Sequence, residues 1–285
     1  MYSVNTYQDG EYMMFKLTDS EAGSWVKIAP GRGGLVTSFG AGDYEALYMN
    51  EKTFHDKDAN VRGGIPILFP ISGQLENGEY TLKGKTYKMK NHGFARNLPW
   101  QAVKSGTEDG ASVTLVLLST ENTRKAYPFD FRLEFTYILK GTTLTIKQEY
   151  KNFSSEELPL YPGFHPYFAA DDKDLAYNTD ARTYFDYNDG TIHSLDEGLS
   201  LAGKKESLAL LDAETNQISF RAKDKKIRMT YGKEFKYVYL WTEEGGDFVC
   251  VEPWMARTGE FHRGEELVKI APGDALMTSL SISID

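Results

Sequence analysis

The chain has 285 residues, 41% of them hydrophobic and 13% aromatic, which is enough to bury a substantial core within one domain spanning residues 1–285. With 32 Lys and Arg against 41 Asp and Glu, the formal charge of −9 sets up a field that repels phosphodiester backbones and anionic headgroups. Nucleic acid and membrane surfaces are therefore poor candidates as partners, whereas a small anion held by one or two local arginines stays open.

The first ten residues, Met1 to Gly10, have neither a basic start nor an apolar run, and no later apolar stretch is long enough to cross a bilayer, so a cytoplasmic protein is expected. The single cysteine, Cys250, allows no internal disulfide and no multi-thiolate metal site. Its place between Val249 and Val251 marks it as a small core residue.

In chain order, strands are predicted at Met13–Leu17 and Trp25–Ile28, and a hairpin at Tyr80–Tyr87 turning around Gly84. A longer hairpin spans Trp100–Leu118 and folds at Glu108-Asp109-Gly110. Glu121–Tyr127 has the length of a single helical turn. Phe131, Leu133, Phe135, Tyr137 and Leu139 then alternate with Arg132, Glu134 and Thr136, the period of a half-buried strand. After the turn at Lys140-Gly141, Leu144, Ile146 and Tyr150 repeat the alternation and close an antiparallel hairpin. Asp171–Glu206 is polar and irregular and is expected to make long excursions off the sheets; Lys204–Leu211 allows a short helical turn. Strands resume at Ile218–Arg221, Ile227–Tyr231, Tyr237–Trp241, Phe248–Glu252 and Leu276–Ile284. Many strands, short turns and no amphipathic helix of three turns predict an all-β protein built from two large antiparallel sheets packed face to face.

Four segments break the alternation and concentrate chemically useful side chains: Arg62-Gly-Gly-Ile-Pro66, Asn91-His-Gly-Phe-Ala-Arg96, Tyr161-Pro-Gly-Phe-His-Pro-Tyr-Phe168 and Val251-Glu-Pro-Trp254. Each has a plain reading. His92 beside Gly93 fits a turn; Glu252 at the end of an apolar strand fits a group reaching water; Trp241 and Trp254 fit core or rim positions. His165 is flanked by Phe164 and Pro166, where an imidazole needs a partner to offset lost solvation. The sequence contains no His-Glu-x-x-His, no Cys pair, no phosphate-cradling Gly-x-x-x-x-Gly-Lys and no Gly-x-Ser-x-Gly, and its five histidines are scattered.

Taken together, Gly63-Gly-Ile-Pro66, His92-Gly-Phe-Ala-Arg96, His165-Pro-Tyr-Phe168 and Glu252-Pro-Trp254 resemble the aldose 1-epimerase (galactose mutarotase-like) family, and most of all its hexose-6-phosphate branch. The resemblance implies a β-supersandwich that interconverts the α and β anomers of an aldose without cofactor or metal. By the same carry-over Glu252 is the general base, His165 the general acid and His92 the second histidine of the site. Arg62 and Arg96 fall at substrate-contacting positions, Gln74 follows the Gly-Gly-Ile-Pro segment, and Trp241 and Trp254, with Phe164, would wall the sugar. Where the family holds a sugar hydroxyl with an Asp, within Tyr184–Ile192, the register implies Asn188 or Asp189.

One acid and one base are what such chemistry requires: a proton leaves the anomeric hydroxyl, another reaches the ring oxygen, and the ring recloses on the other face. The implied partner is a small sugar, bound by a monomer or homodimer. Two other classes stay open at this point, a carbohydrate-binding or sugar-sensing module without turnover, and a carbohydrate hydrolase or lyase on the same architecture, for which a second catalytic carboxylate would be expected.

Overall fold

A computed structural model describes residues 1–285. The strand Phe131–Lys140 shows how the elements arise. Its apolar residues Phe131, Leu133, Phe135, Tyr137 and Leu139 are all buried, while the polar residues between them face outward. It pairs residue for residue with Thr143–Asn152, Phe131 opposite Asn152 and Lys140 opposite Thr143, across a turn in which Gly141 adopts the left-handed φ of 57°.

This hairpin is central to an eight-stranded antiparallel sheet ordered Tyr177–Asn178, Gln217–Ala222, Lys225–Tyr231, Ala275–Ile284, Thr143–Asn152, Phe131–Lys140, Ala111–Leu118, Gln101–Gly106. A second large sheet runs Thr191–Ser194, Thr183–Asp186, Leu208–Leu210, Tyr237–Trp241, Phe248–Trp254, Gly163–Phe164, Ile67–Leu68, with Tyr167–Ala169 also pairing with Phe248–Trp254. The buried cluster between them draws on residues from Leu17 to Ile284 and centres on aromatic rings, among them Phe69, Phe131, Phe135 and Tyr150. The all-β class and the two large antiparallel sheets are thus as the sequence predicts.

The molecule also holds a five-stranded meander, Tyr2–Asp9, Tyr12–Asp19, Ser24–Ala29, Leu35–Ala41 and Tyr44–Glu45, of which the sequence reading recovered only the second and third strands. Asp19 ties it to the central hairpin by accepting the Gly141 N–H at 2.9 Å, and Ser24 donates to the Gly141 carbonyl at 2.6 Å. Asp171–Glu206 is not a mere excursion, since Thr183–Asp186 and Thr191–Ser194 form an edge of the second large sheet. Lys204–Leu211 forms no helix; Leu208–Leu210 is a strand of that sheet with all three side chains buried. The single turn of helix at Glu121–Ala126 is present, and is capped by reciprocal Thr120 and Thr123 bonds.

Candidate functional site: an acid–base pair on the open face of the second sheet

Strand register alone brings the separate motifs together. Gly163 is opposite Trp254 and Tyr167 is opposite Cys250, so His165 falls opposite Glu252 on the same face. Glu252 pairs in turn with Tyr239, Tyr239 with Ala209, and Ala209 with Phe185, giving one row across five strands. The next row carries Tyr167, Cys250 and Trp241. The Gly-Gly-Ile-Pro segment lines up beside this arrangement because the His165 amide donates to the Pro66 carbonyl at 3.1 Å and the Tyr167 amide to Gly64 at 2.9 Å. Gly64 has a φ of 67° and a Cβ there would lie 2.2 Å from the Val36 carbonyl oxygen, so the close approach requires glycine.

A cleft of about 290 Å³ opens over these rows, at the small end of small-molecule sites. It is lined by Arg62, Gly73, Gln74, Asn91, His92, His165, Tyr187, Lys205, Glu206, Ser207, Tyr239, Trp241, Glu252, Trp254 and Thr258. A larger groove, of about 360 Å³, between Asn178 and Arg228 has no histidine and no aromatic residue.

At the floor, His165 Nε2 is 3.4 Å from Glu252 Oε1, and both side chains are buried. Trp254 Nε1 donates to Glu252 Oε2 at 3.1 Å, and the Trp254 ring stacks on Tyr239 with centroids 3.8 Å apart. The His165 ring lies flat on Tyr167 at 4.7 Å, and its Nδ1 is buried without a partner. Burial pushes the Glu252 carboxyl well up, opposed by the Trp254 N–H and the Arg96 cation. Burial likewise pushes His165 well down, helped by the neighbouring His92, Arg96 and Arg62. Both directions favour the uncharged pair, and that pair carries a single proton whichever group holds it.

His92 enters from the segment following Lys90, with a left-handed φ of 65°, its ring 5.4 Å edge-on from His165. Its Nδ1 is 2.5 Å from the Ser72 carbonyl oxygen. A carbonyl only accepts, so Nδ1 carries the proton; burial, with Arg96 nearby, lowers the His92 pKa to about 3, leaving Nε2 a lone-pair acceptor. His92 thus presents Nε2 to the cleft as a hydrogen-bond acceptor, not a donor.

Of the predicted site residues, His165, Glu252, His92, Arg62, Gln74, Trp241 and Trp254 line the cleft, and Arg96, Asn188 and Asp189 do not. Arg96 keeps its Nε buried and unpartnered, donates from its Nη2 to the carbonyl of the lining residue Asn91 at 3.4 Å, and acts on His92 and Glu252 through its charge. Asn188 is consumed locally: its side chain donates to Asp186 and the Glu206 carbonyl and accepts from the Lys205 and Glu206 amides, all within 2.8–2.9 Å. Asp189 is spent on Thr191 and His193. Phe164 is not a wall; it is fully buried against Phe135 and Phe235. The sequence reading missed Asn91, Gly73, Tyr187, Tyr239, Thr258 and the rim Lys205-Glu206-Ser207. Tyr239 was within reach, because it shares strand parity with Trp241.

Two groups of ligand atoms lie within 4.8 Å of one another: His165, Cys250 and Glu252, and Asp186, Asp189 and His193. Burial raises the Cys250 thiol well above its usual range, which keeps it protonated and a poor ligand, and Asp186 is neutralised by Lys204.

Fold and site define a class: an all-β protein with a monosaccharide-sized cleft and one carboxyl–imidazole pair at its floor. The chain belongs to the aldose 1-epimerase family, a family of isomerases, whose model matches residues 15–281. The Slr1438 protein of Synechocystis sp. PCC 6803 is 33% identical in a superposition covering 100% of this chain and 99% of that one, with a TM-score of 0.93. A structure of "a putative mutarotase (YeaD)" from Salmonella typhimurium shares the fold at a TM-score of 0.79 and 22% identity over 99% of this chain and 93% of that one. An Escherichia coli (strain K12) protein named "Putative glucose-6-phosphate 1-epimerase" is 33% identical over 134 residues, 46% of this chain. The chain thus spans 40% of the length of that curated relative. No helix is long and apolar enough to cross a membrane.

Proposed function

We propose that this protein interconverts the α and β anomers of an aldohexose, with hexose 6-phosphates preferred. The observation that carries the reading is the 3.4 Å approach of His165 Nε2 to Glu252 Oε1 at the floor of a monosaccharide-sized cleft. With the shared proton on the imidazole, Glu252 takes the proton of the anomeric hydroxyl while His165 gives its own to the ring oxygen. The bond from C1 to the ring oxygen breaks and a carbonyl forms at C1. Rotation about C1–C2 presents the other face, and closure runs both transfers in reverse. Each positioned group is worth roughly 10²–10⁴-fold, sufficient for a reaction that also proceeds in water.

The remaining groups orient. Trp254 holds one carboxylate oxygen and leaves Oε1 toward the imidazole. His92 Nε2 accepts from a sugar hydroxyl. Trp241 is fixed at the wall by its N–H to the Lys205 carbonyl, 3.0 Å away. The phosphate preference is supported by the two cations of the lining, Arg62 and Lys205; the Arg62 guanidinium rests on the Trp241 ring at 5.3 Å and is 3.8 Å from Glu243. The names of relatives such as the Escherichia coli protein support it as well.

The test is anomer exchange by NMR across free hexoses, pentoses and hexose 6-phosphates. Exchange is expected to be faster for the 6-phosphates, with the advantage erased in Arg62→Ala. Equal rate constants for glucose and its 6-phosphate would remove the phosphate preference; acceleration of no sugar would remove the reading altogether. A binding module without turnover has no use for a buried acid–base pair, and binding without exchange is the result that would favour it.

A further inference from the structure

Two tyrosines in the cleft have no part in the proton transfers. Tyr239 stands beside Glu252 in the row described above, and Tyr187 follows the strand Thr183–Asp186, three strands from Glu252. At about 4.8 Å per strand the backbones are roughly 14 Å apart, so Tyr187 approaches the cleft from the side away from the acid–base pair. Between them lies Ala209, whose methyl lets the two rings come together, centroids 5.8 Å apart and planes 28° apart. Their hydroxyl oxygens meet at 2.8 Å.

The pair has a direction. The Thr258 amide donates to the Tyr239 oxygen at 3.4 Å. Thr258 is itself braced: its hydroxyl accepts from the Gln74 amide at 3.0 Å and donates to the Gln74 carbonyl at 3.2 Å. A Cβ at Gly73 would lie 2.4 Å from the Thr258 hydroxyl oxygen, so glycine is what allows this approach. With its oxygen already accepting from an amide, Tyr239 has its own proton free to give to Tyr187, and in that arrangement the Tyr187 proton is free for the cleft. The tyrosine is held as a donor, two hydrogen bonds removed from a fixed backbone amide. Neither Asn188 nor Asp189 reaches this wall, because both are spent within their own loop.

We propose that Tyr187 is the specificity-determining residue of the cleft, donating a hydrogen bond to a sugar hydroxyl oxygen remote from the anomeric centre. This rests on the mutarotase reading above. It makes the cleft sensitive to configuration at one carbon, because a donor fixed on one side of the ring meets an equatorial oxygen or an axial one, not both.

The experiment compares wild type, Tyr187→Phe and Tyr239→Phe on hexoses epimeric at C2, C3 and C4 and on the matching deoxy sugars, with thermal unfolding as a control. Tyr187→Phe is expected to raise KM about 3- to 10-fold for sugars bearing the addressed hydroxyl, with kcat nearly unchanged and no effect on the sugar deoxygenated at that carbon. Tyr239→Phe is expected to give a smaller change in the same pattern, because Tyr187 then loses its orientation. Unaltered discrimination in Tyr187→Phe, or an equal loss on every sugar including the deoxy set, would overturn the proposal while wild-type turnover left the mutarotase reading standing. Turnover of no sugar by wild type would overturn both.

Discussion

Replacing Glu252 by Gln separates chemistry from folding. The amide occupies the same space; its oxygen accepts from Trp254 Nε1, which lies 3.1 Å from Oε2, and its nitrogen faces His165 Nε2 across the 3.4 Å gap. It cannot take a proton. Loss of a general base costs about 10²–10⁴-fold, or roughly 2.7–5.4 kcal/mol of transition-state stabilisation. Stability should move the other way. Burial raises the Glu252 pKa in the folded state, so the wild type has its full stability below the unfolded carboxylate pKa and loses stability as pH rises through the folded value. The amide has no proton to lose, and the melting temperature of Glu252→Gln relative to wild type should therefore climb with pH. The assays are anomer exchange by NMR on the best wild-type substrate and thermal unfolding from pH 5 to pH 9. Exchange at wild-type rates, or a stability difference that shrinks with rising pH, would refute the reasoning.

Trp254→Phe keeps a ring against Tyr239 but removes the N–H that favours the ionised carboxylate. The exchange rate should fall about tenfold, as for loss of a charged hydrogen bond of about 1.5 kcal/mol, and the alkaline limb of the kcat/KM profile should move to higher pH; an unmoved limb would exclude this role. In the wild type, because burial holds His165 below its ordinary range, the rate should persist as pH falls through about 6.5, and a half-maximal point at that pH would contradict the neutral pair. Gly93→Ala places a Cβ 2.1 Å from the Phe69 carbonyl oxygen at a φ of 68°, so urea unfolding should show a loss of at least about 1–3 kcal/mol from backbone strain alone. Asn188→Ala should loosen Lys205–Ser207 and raise KM a few-fold with kcat held, seen together with faster amide hydrogen exchange at Lys205 and Glu206; unchanged protection there would remove the bracing role.

The central hairpin was legible because Phe131, Leu133, Phe135, Tyr137 and Leu139 all face the core, and period two survives in the sequence when one face is buried throughout. Thr183–Asp186 was not. Its buried positions are Tyr184 and Asp186, and the buried aspartate is matched by the counter-charge of Lys204, 18 residues on, and by two N–H donors of Asn188. Tyr2–Asp9 escaped for a simpler reason: none of its side chains is fully buried, so no alternation is imposed on it. In the site, motif position told which residues come near, and register explains why His165 and Glu252 meet. Side-chain direction was hidden. Arg96 stays outside the cleft lining and Asn188 is bound within its own loop, while Tyr187 meets a partner 52 residues away, Tyr239, ring against ring and hydroxyl to hydroxyl.

Burial keeps His92 neutral and the Ser72 carbonyl fixes its tautomer, and Glu252 and His165 hold one proton between them, so the acid–base pair has a single hydrogen ion to exchange. In the proposed reaction, ring opening deposits one proton on the protein and withdraws one, and closure does the same in reverse. The total is identical with either anomer bound, before and after turnover. Such a chamber needs no wire to bulk water and no recharging interval between cycles, and it can serve both directions of an equilibrium without first being reset.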